Sequence, residues 1–370
     1  MTNRHDEALN NFTLLLLLLA LAVVIGHFKL LYGISDPPFP FNLADAAVDS
    51  FFVVSGFLIA GSYERCHGLW SFYIRRLFRL YPMYACIVLV QTGLMLGMLP
   101  NGPLSELHST IRYLAANLVL ANFMQYDIGG VLHGLPNPGI NPSLWTLKIE
   151  IGFYLIVPLI YSATRRWGWT VLALIFAASV AYCFAVLHFG GADGDRFARQ
   201  LPGQLQFFAV GMALYLYAEK VRVHPLVSAG VAVVLLLSWT YLHPIPAGIR
   251  PIIVGAFVFT FALCTPVIRM KSDMSYSVYL VHGPLLQTLI LLGVFRNNLL
   301  FLSGIVATVL IISYVTERLV ERPGNALGYR LARIFAGRVR VAPHVTWGAA
   351  MPEATQASLT TADQKRPQWV

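Results

Sequence analysis

Charge is what this chain of 370 residues has least of. Asp, Glu, Lys and Arg together make up 12% of it, about half the share of a soluble domain. Too few polar groups are left to cover a water-facing globule. Acidic residues are the scarcer kind, 17 against 26 Lys and Arg. Cysteines are also few: Cys66, Cys86, Cys183 and Cys264 lie scattered, with no CxxC pair and no metal-ligand spacing. That excludes a disulfide framework, and no metal site is expected. No cleavable-signal pattern opens the chain, so its first apolar stretch is expected to be retained. What is present is apolar, with 57% hydrophobic residues and a mean hydropathy of +0.65. This is the composition of an integral membrane protein. The net charge of +9 then reads as basic loops held on the cytoplasmic side, not as nucleic-acid binding.

Ten stretches approach the length a bilayer requires: 12–32, 43–61, 80–99, 144–163, 169–189, 202–218, 224–243, 249–268, 275–295 and 298–317. The expected fold is therefore all-α, a polytopic bundle of about ten transmembrane helices. Lys and Arg cluster in alternate loops (Arg65 to Arg79, Arg165 and Arg166, Lys220 and Arg222, Arg269 and Lys271) and in the basic tail from Arg318. Both termini are thus expected in the cytoplasm. The longest outer loop, from about 100 to 143, contains a segment around 111–126 that reads as an interfacial or re-entrant helix. LHGLPNPGINP after it is too rich in Pro, Gly and Asn to be helical. The expected organisation is a membrane domain over 1–323, a basic amphipathic juxtamembrane segment over 324–341 suited to an anionic leaflet, and a disordered cytoplasmic tail over 342–370. Neither an internal repeat nor a second soluble domain is visible.

A few polar residues interrupt the apolar spans. The first, FTLLLLLLALAVVIGHFKLLY, carries His27, and an imidazole inside a span is costly unless it faces a protein interior or a water-filled cavity. A carbonyl partner, or an interfacial position beside Lys29, accounts for it as well. In the second span Asp45 and Asp49 are four residues apart, hence on one face. Asp45 reads as interfacial; Asp49 lies about two turns in and wants a partner. The fourth span opens PSLWTLKIEIGFYLIVP, where Glu150 and Tyr154 share a face and Trp145 fits the aromatic belt. Topology puts His27, Asp49 and Glu150 in the outer half of the bilayer. There a carboxylate can orient the ring while the other ring nitrogen handles a proton; a structural ion-pair cluster would use the same residues. At the cytoplasmic surface, SFYIRRLFRLYP presents Arg75, Arg76 and Arg79, suited to phosphates, though positive-inside anchoring also accounts for them. His282, in MSYSVYLVHGPLL, is expected in the inner half, either lining the path of a donor or packing beside Pro284.

Six pieces, NNFTLL…GHFKL, VDSFFVVSGFLI, FYIRRLFRLYP, NPSLWTLKIEIGFYLIVP, SYSVYLVHGPLL and VERP, occur in this order between Asn10 and Pro323. In that order the chain resembles the integral membrane acyltransferase-3 family, which includes bacterial sugar and exopolysaccharide O-acetyltransferases. The resemblance implies transfer of an acyl group, usually acetyl, from cytoplasmic acyl-CoA to a carbohydrate hydroxyl such as that of a cell-surface polysaccharide or lipid-linked glycan. It implies a multi-pass protein of the bacterial inner membrane, in contact with lipids and not with nucleic acid. His27 matches the family's essential first-span histidine, and Arg75, Arg76 and Arg79 match its RRxxR motif, associated with the donor. Asp49 matches the aspartate of the VDxFFVxSGF block, and Glu150 the acid of the SLWTLxxE block. Asn141, Ser143, Trp145, Tyr154 and His282 are expected to line the substrate path. One departure stands out: the family's basic residue ten intervening positions before the histidine is Leu16 here. Eleven residues return to nearly the same helix face about 16 Å away, so that residue would share a wall with the histidine. The alternatives are a transporter or flippase for a lipid-linked glycan, a catalytically weakened member of the family, or a membrane sensor lacking catalysis.

Overall fold

The structure, a computed structural model, describes residues 10–34, 38–66, 68–217, 248–270 and 272–338, with 226, 227, 230 and 233. Among these, all regular structure is helical. Residues 1–336 form one compact unit and 337–370 a second. The tail expected over 342–370 lies outside the described residues.

Twelve helices are used below: α1 Phe12–Leu30, α2 Ala44–Glu64, α3 Leu69–Gly97, α4 Leu107–Leu118, α5 Trp145–Trp167, α6 Thr170–Phe189, α7 Gly194–Ala198, α8 Leu201–Tyr217, α9 Arg250–Phe259, α10 Ser275–Leu291, α11 Leu299–Thr316 and α12 Arg322–Arg338. Wide π-turns extend α9 over Thr260–Cys264 and join α11 to α12 over Glu317–Glu321. Among the described residues, six stretches are long and apolar enough to cross a membrane: Phe12–Leu30, Phe41–Glu64, Leu69–Gly97, Pro142–Trp167, Thr170–Phe189 and Leu299–Phe335. Helices α8 and α10, with 17 residues each, sit at the lower bound for a crossing. The expected span 224–243 falls almost entirely outside the described residues.

The third helix begins at Leu69, eleven residues before the expected start at 80, because RRLFR continues the helical register instead of forming a loop. Its arginines therefore project from a rigid rod. The outer loop carries α4 over Leu107–Leu118, a little earlier than expected, and then runs without regular structure to Asn141. This irregular stretch is held from below, since Gln287 of α10 donates to the carbonyls of Asn137 and Gly139 at 2.8 and 2.9 Å. Within it Asp127 accepts the amide of Ile128 at 2.8 Å. Partial burial raises its carboxyl above the usual carboxylate range.

Helix α2 is the centre of the bundle, packed on α1, α5, α8 and α9. Its crossing with α8 is a contact of two glycines. A Cβ on Gly56 would lie 2.3 Å from the Phe208 carbonyl, and one on Gly211 1.9 Å from that of Val53. Small residues of this kind let helix backbones touch where no hydrophobic effect drives them together. Helix α12, in the segment expected to be a basic amphipath, packs its glycine face on α3. A Cβ on Gly324 would meet Pro82 at 2.7 Å, and one on Gly328 would meet Phe78 at 2.4 Å.

Candidate active site

His27 lies one turn before the end of α1, and its ring turns into the bundle towards His282 of α10. Nδ1 of His27 is 2.8 Å from Nε2 of His282. Nδ1 of His282 is 3.1 Å from the Val278 carbonyl, one turn earlier in α10. A carbonyl only accepts, so His282 Nδ1 carries the proton and neutral His282 presents a lone pair at Nε2. His27 must then donate through Nδ1. The neutral ring that results has a bare Nε2, for which no partner exists among the described residues. The arrangement is a relay: Val278 holds His282, and His282 sets the tautomer of His27. Ser143 adds its hydroxyl 3.3 Å from the same His282 nitrogen.

This geometry corrects the depth expected for His282. It shares the level of His27, as the 2.8 Å contact between the two rings requires. The ring of His27 is met by a second imidazole, not by either carboxylate. Asp49 is instead paired with Arg250, whose Nη2 and Nε lie 2.5 and 2.7 Å from Oδ2. Glu150 accepts the hydroxyl of Tyr154.

Asn141 has a positioning role. Its Nδ2 donates to the Leu280 carbonyl at 2.9 Å, and its Oδ1 accepts the Ser143 amide at 3.2 Å. A Cβ on Gly283 would strike that Oδ1 at 2.7 Å, so the glycine lets the outer loop seat on α10 beside His282. Thr146, in the next turn, shares a 2.9 Å hydrogen bond with the hydroxyl of Tyr279. The Tyr279 ring sits edge-on to His282, 6.1 Å between centroids.

A cavity of about 130 Å³ connects this end to the arginines. Arg76, Arg79, Glu150, Tyr154, Thr146 and Tyr279 line it, and so does Leu16. The three arginines are not equivalent. Arg79 is neutralised on two sides, by Asp273 at 2.7 Å and Glu321 at 2.6 Å, and Ser277 donates to the other oxygen of Glu321 at 2.9 Å. It clamps α3 to the stretch before α10 and to the turn before α12. Among the described residues, Arg75 and Arg76 have no carboxylate partner. Each lies over a ring, Arg75 over Tyr329 at 5.0 Å and Arg76 over Tyr154 at 5.8 Å, and the Nε of each is buried without a hydrogen bond.

Sequence reasoning missed the partners. Arg250 is not among the residues the sequence singles out, although a carboxylate inside the second span calls for a cation at its depth. Glu321 sits within VERP, whose acid was given no role. Among the described residues, no group of three His, Cys, Asp or Glu is placed to hold a metal ion.

The chain is 27% identical to Nodulation protein 10 of Rhizobium leguminosarum bv. viciae, over 88% of this chain and 96% of that one. It is also 27% identical to an O-acetyl transferase of Shigella phage Sf6, over 85% and 95% respectively. The Acyltransferase MdmB of Streptomyces mycarofaciens matches at 29% over 40% of this chain and 37% of its own. No solved structure matches. The profile of the acyltransferase domain matches residues 10–318, and the chain belongs to the acyltransferase-3 family.

Proposed function

We propose that this protein is a multi-pass O-acyltransferase of the bacterial inner membrane that moves an acyl group, acetyl in the simplest case, from acyl-CoA to a carbohydrate hydroxyl. The observation that carries the reading is the tautomer of His27 set by His282, which leaves its Nε2 bare, close to a cavity lined by both Arg76 and Tyr279, the ring edge-on to His282. Arg75 and Arg76 are the groups with charge to spare for the phosphates of the donor. Arg79 holds the entrance together. The acyl end of the donor would reach along the cavity past Leu16 and Glu150 towards Tyr279.

His27 takes the hydroxyl proton of the acceptor on Nε2 as its oxygen attacks the thioester carbonyl. The C–O bond forms, the C–S bond breaks, and the proton returns from Nε2 to the departing thiolate. The relay fits both stages. A protonated His27 still donates through Nδ1 to His282, so charge arriving on the ring keeps its partner. The relative named an O-acetyl transferase supports the reaction class.

The test is acetyl transfer by purified chain in lipid nanodiscs, with labelled acetyl-CoA and cell-surface polysaccharide from a strain lacking the gene. Label is expected in the polysaccharide with wild type and not with His27→Ala. Equal labelling by a normally inserted His27→Ala protein would refute the role of the histidine.

A further inference from the structure

A second cavity, of about 280 Å³, opens at the Asp45 end of the bundle, away from the arginines of α3. Three observations in it point to a ligand. Gln204 and Gln206 of α8 are 7% and 4% exposed. Their amide nitrogens are committed, that of Gln204 to the Ala198 carbonyl at 3.0 Å and that of Gln206 to the Gly203 carbonyl at 2.8 Å. The carbonyl Oε1 of each is thereby oriented and has no partner. Buried acceptors left open in this way cost stability unless a donor arrives. The second observation is Arg199, which lies over the indole of Trp145 at 5.8 Å and reaches Asp45 only at 3.6 Å. Both partners of that long ion pair are more than half exposed, so little holds the guanidinium on the ring. The third is charge. Asp45, Asp49 and Asp195 line the cavity together with Arg199 and Arg250, a near balance that disfavours a phosphate or polyanion.

Amide and carboxylate acceptors, guanidinium donors and one aromatic face that a loosely held side chain can vacate are what a pyranose requires. Its hydroxyls both donate and accept, and its apolar C–H face stacks on an indole. We infer that this cavity is the acceptor site, and that it takes a neutral sugar unit stacked on Trp145 in place of Arg199. The inference rests on the acyltransferase reading above. The cavity shares Val48 with the cavity of the arginines, and Trp145 lies in the chain between Ser143, which meets His282, and Thr146, which meets Tyr279.

The test uses the full chain in nanodiscs, with methyl β-glucopyranoside, methyl β-galactopyranoside and N-acetylglucosamine as probes. Binding is read from tryptophan fluorescence, and transfer from labelled acetyl-CoA. The expected result is a saturable fluorescence change with at least one probe that disappears in Trp145→Phe. Arg199→Gln, on the exposed rim and safe for folding, should change the acceptor KM at least fivefold and leave the KM for acetyl-CoA within twofold. Binding of this kind without acetyl transfer would keep the cavity as a sugar site and overturn the acyl-CoA reading. Transfer with both KM values unmoved by either variant would keep the enzyme and overturn the cavity. Neither binding nor transfer with any probe would overturn both.

Discussion

A carbonyl oxygen has no proton to give, and that alone sets the direction of the chain from Val278 through His282 to His27. Were His282 protonated on Nε2 instead, its bare Nδ1 would face the Val278 carbonyl across 3.1 Å, two acceptors with no proton between them. The relay makes different predictions for its two rings. Loss of the base itself, His27→Ala, should lower kcat by about 10³-fold, within the usual worth of a general base. In His282→Phe the base is retained but its Nδ1 has no acceptor, so both tautomers of His27 become populated. That variant should lose about tenfold in kcat, equivalent to roughly 1.4 kcal/mol, with both KM values unchanged. A pair of variants with equal losses would show that His282 handles protons itself. Steady-state kinetics on inserted protein decides between these. His27 was legible in the sequence because an imidazole in a leucine-rich span stands out. Its partner was misplaced in depth although the start of its span at 275 was legible, because how deep that helix sits against α1 depends on contacts between residues 255 apart in the chain, and no periodicity signals that.

The arginine helix shows what spacing conveys and what it leaves out. That Arg75, Arg76 and Arg79 lie on one rod follows from their register. That one of them is already spent follows only from Asp273 and Glu321, 194 and 242 residues further along the chain. Removal of Arg79 strands a carboxylate that is 2% exposed, and a broken buried pair costs about 3 kcal/mol or more. Arg79→Leu should therefore lower the thermal midpoint markedly, as read by a thermal-shift assay in detergent. Arg76→Gln should leave that midpoint within a degree or two, since only a ring face and an open Nε are lost, and should raise the KM for acetyl-CoA about tenfold. The same logic applies to α12, whose glycines were hidden inside a basic amphipathic pattern. Gly328→Leu places a branched side chain where Phe78 already stands. It should push α12 off α3 and take Tyr329 from Arg75, so the donor KM rises although the changed residue is apolar and not on α3.

At the scale of the whole molecule, the proposed reading divides the work between two cavities. A mostly apolar one runs from the α3 arginines towards Tyr279, a polar one opens at the Asp45 end, and the histidine relay lies where α1, α10 and the Ser143 turn meet. The apolar spans and their helical class were legible because membrane length and composition leave few alternatives. The pairing of helices was not, since contacts such as Gly56 on Gly211 depend on which small residues face each other and not on how many there are. Leu16 is where sequence and architecture now meet. It lines the apolar cavity together with Arg76, Arg79 and Glu150, so a basic residue there would face protein and not lipid. A charge on a lipid-facing helix centre costs about 3 kcal/mol. In this cavity Glu150, whose carboxylate accepts only the Tyr154 hydroxyl among the described residues, can offset much of that. Leu16→Arg should thus insert and fold normally, and it should lower the KM for acetyl-CoA several-fold by adding a third cation along the donor's path. A fall in thermal midpoint with no change in that KM would show instead that the donor does not pass this wall.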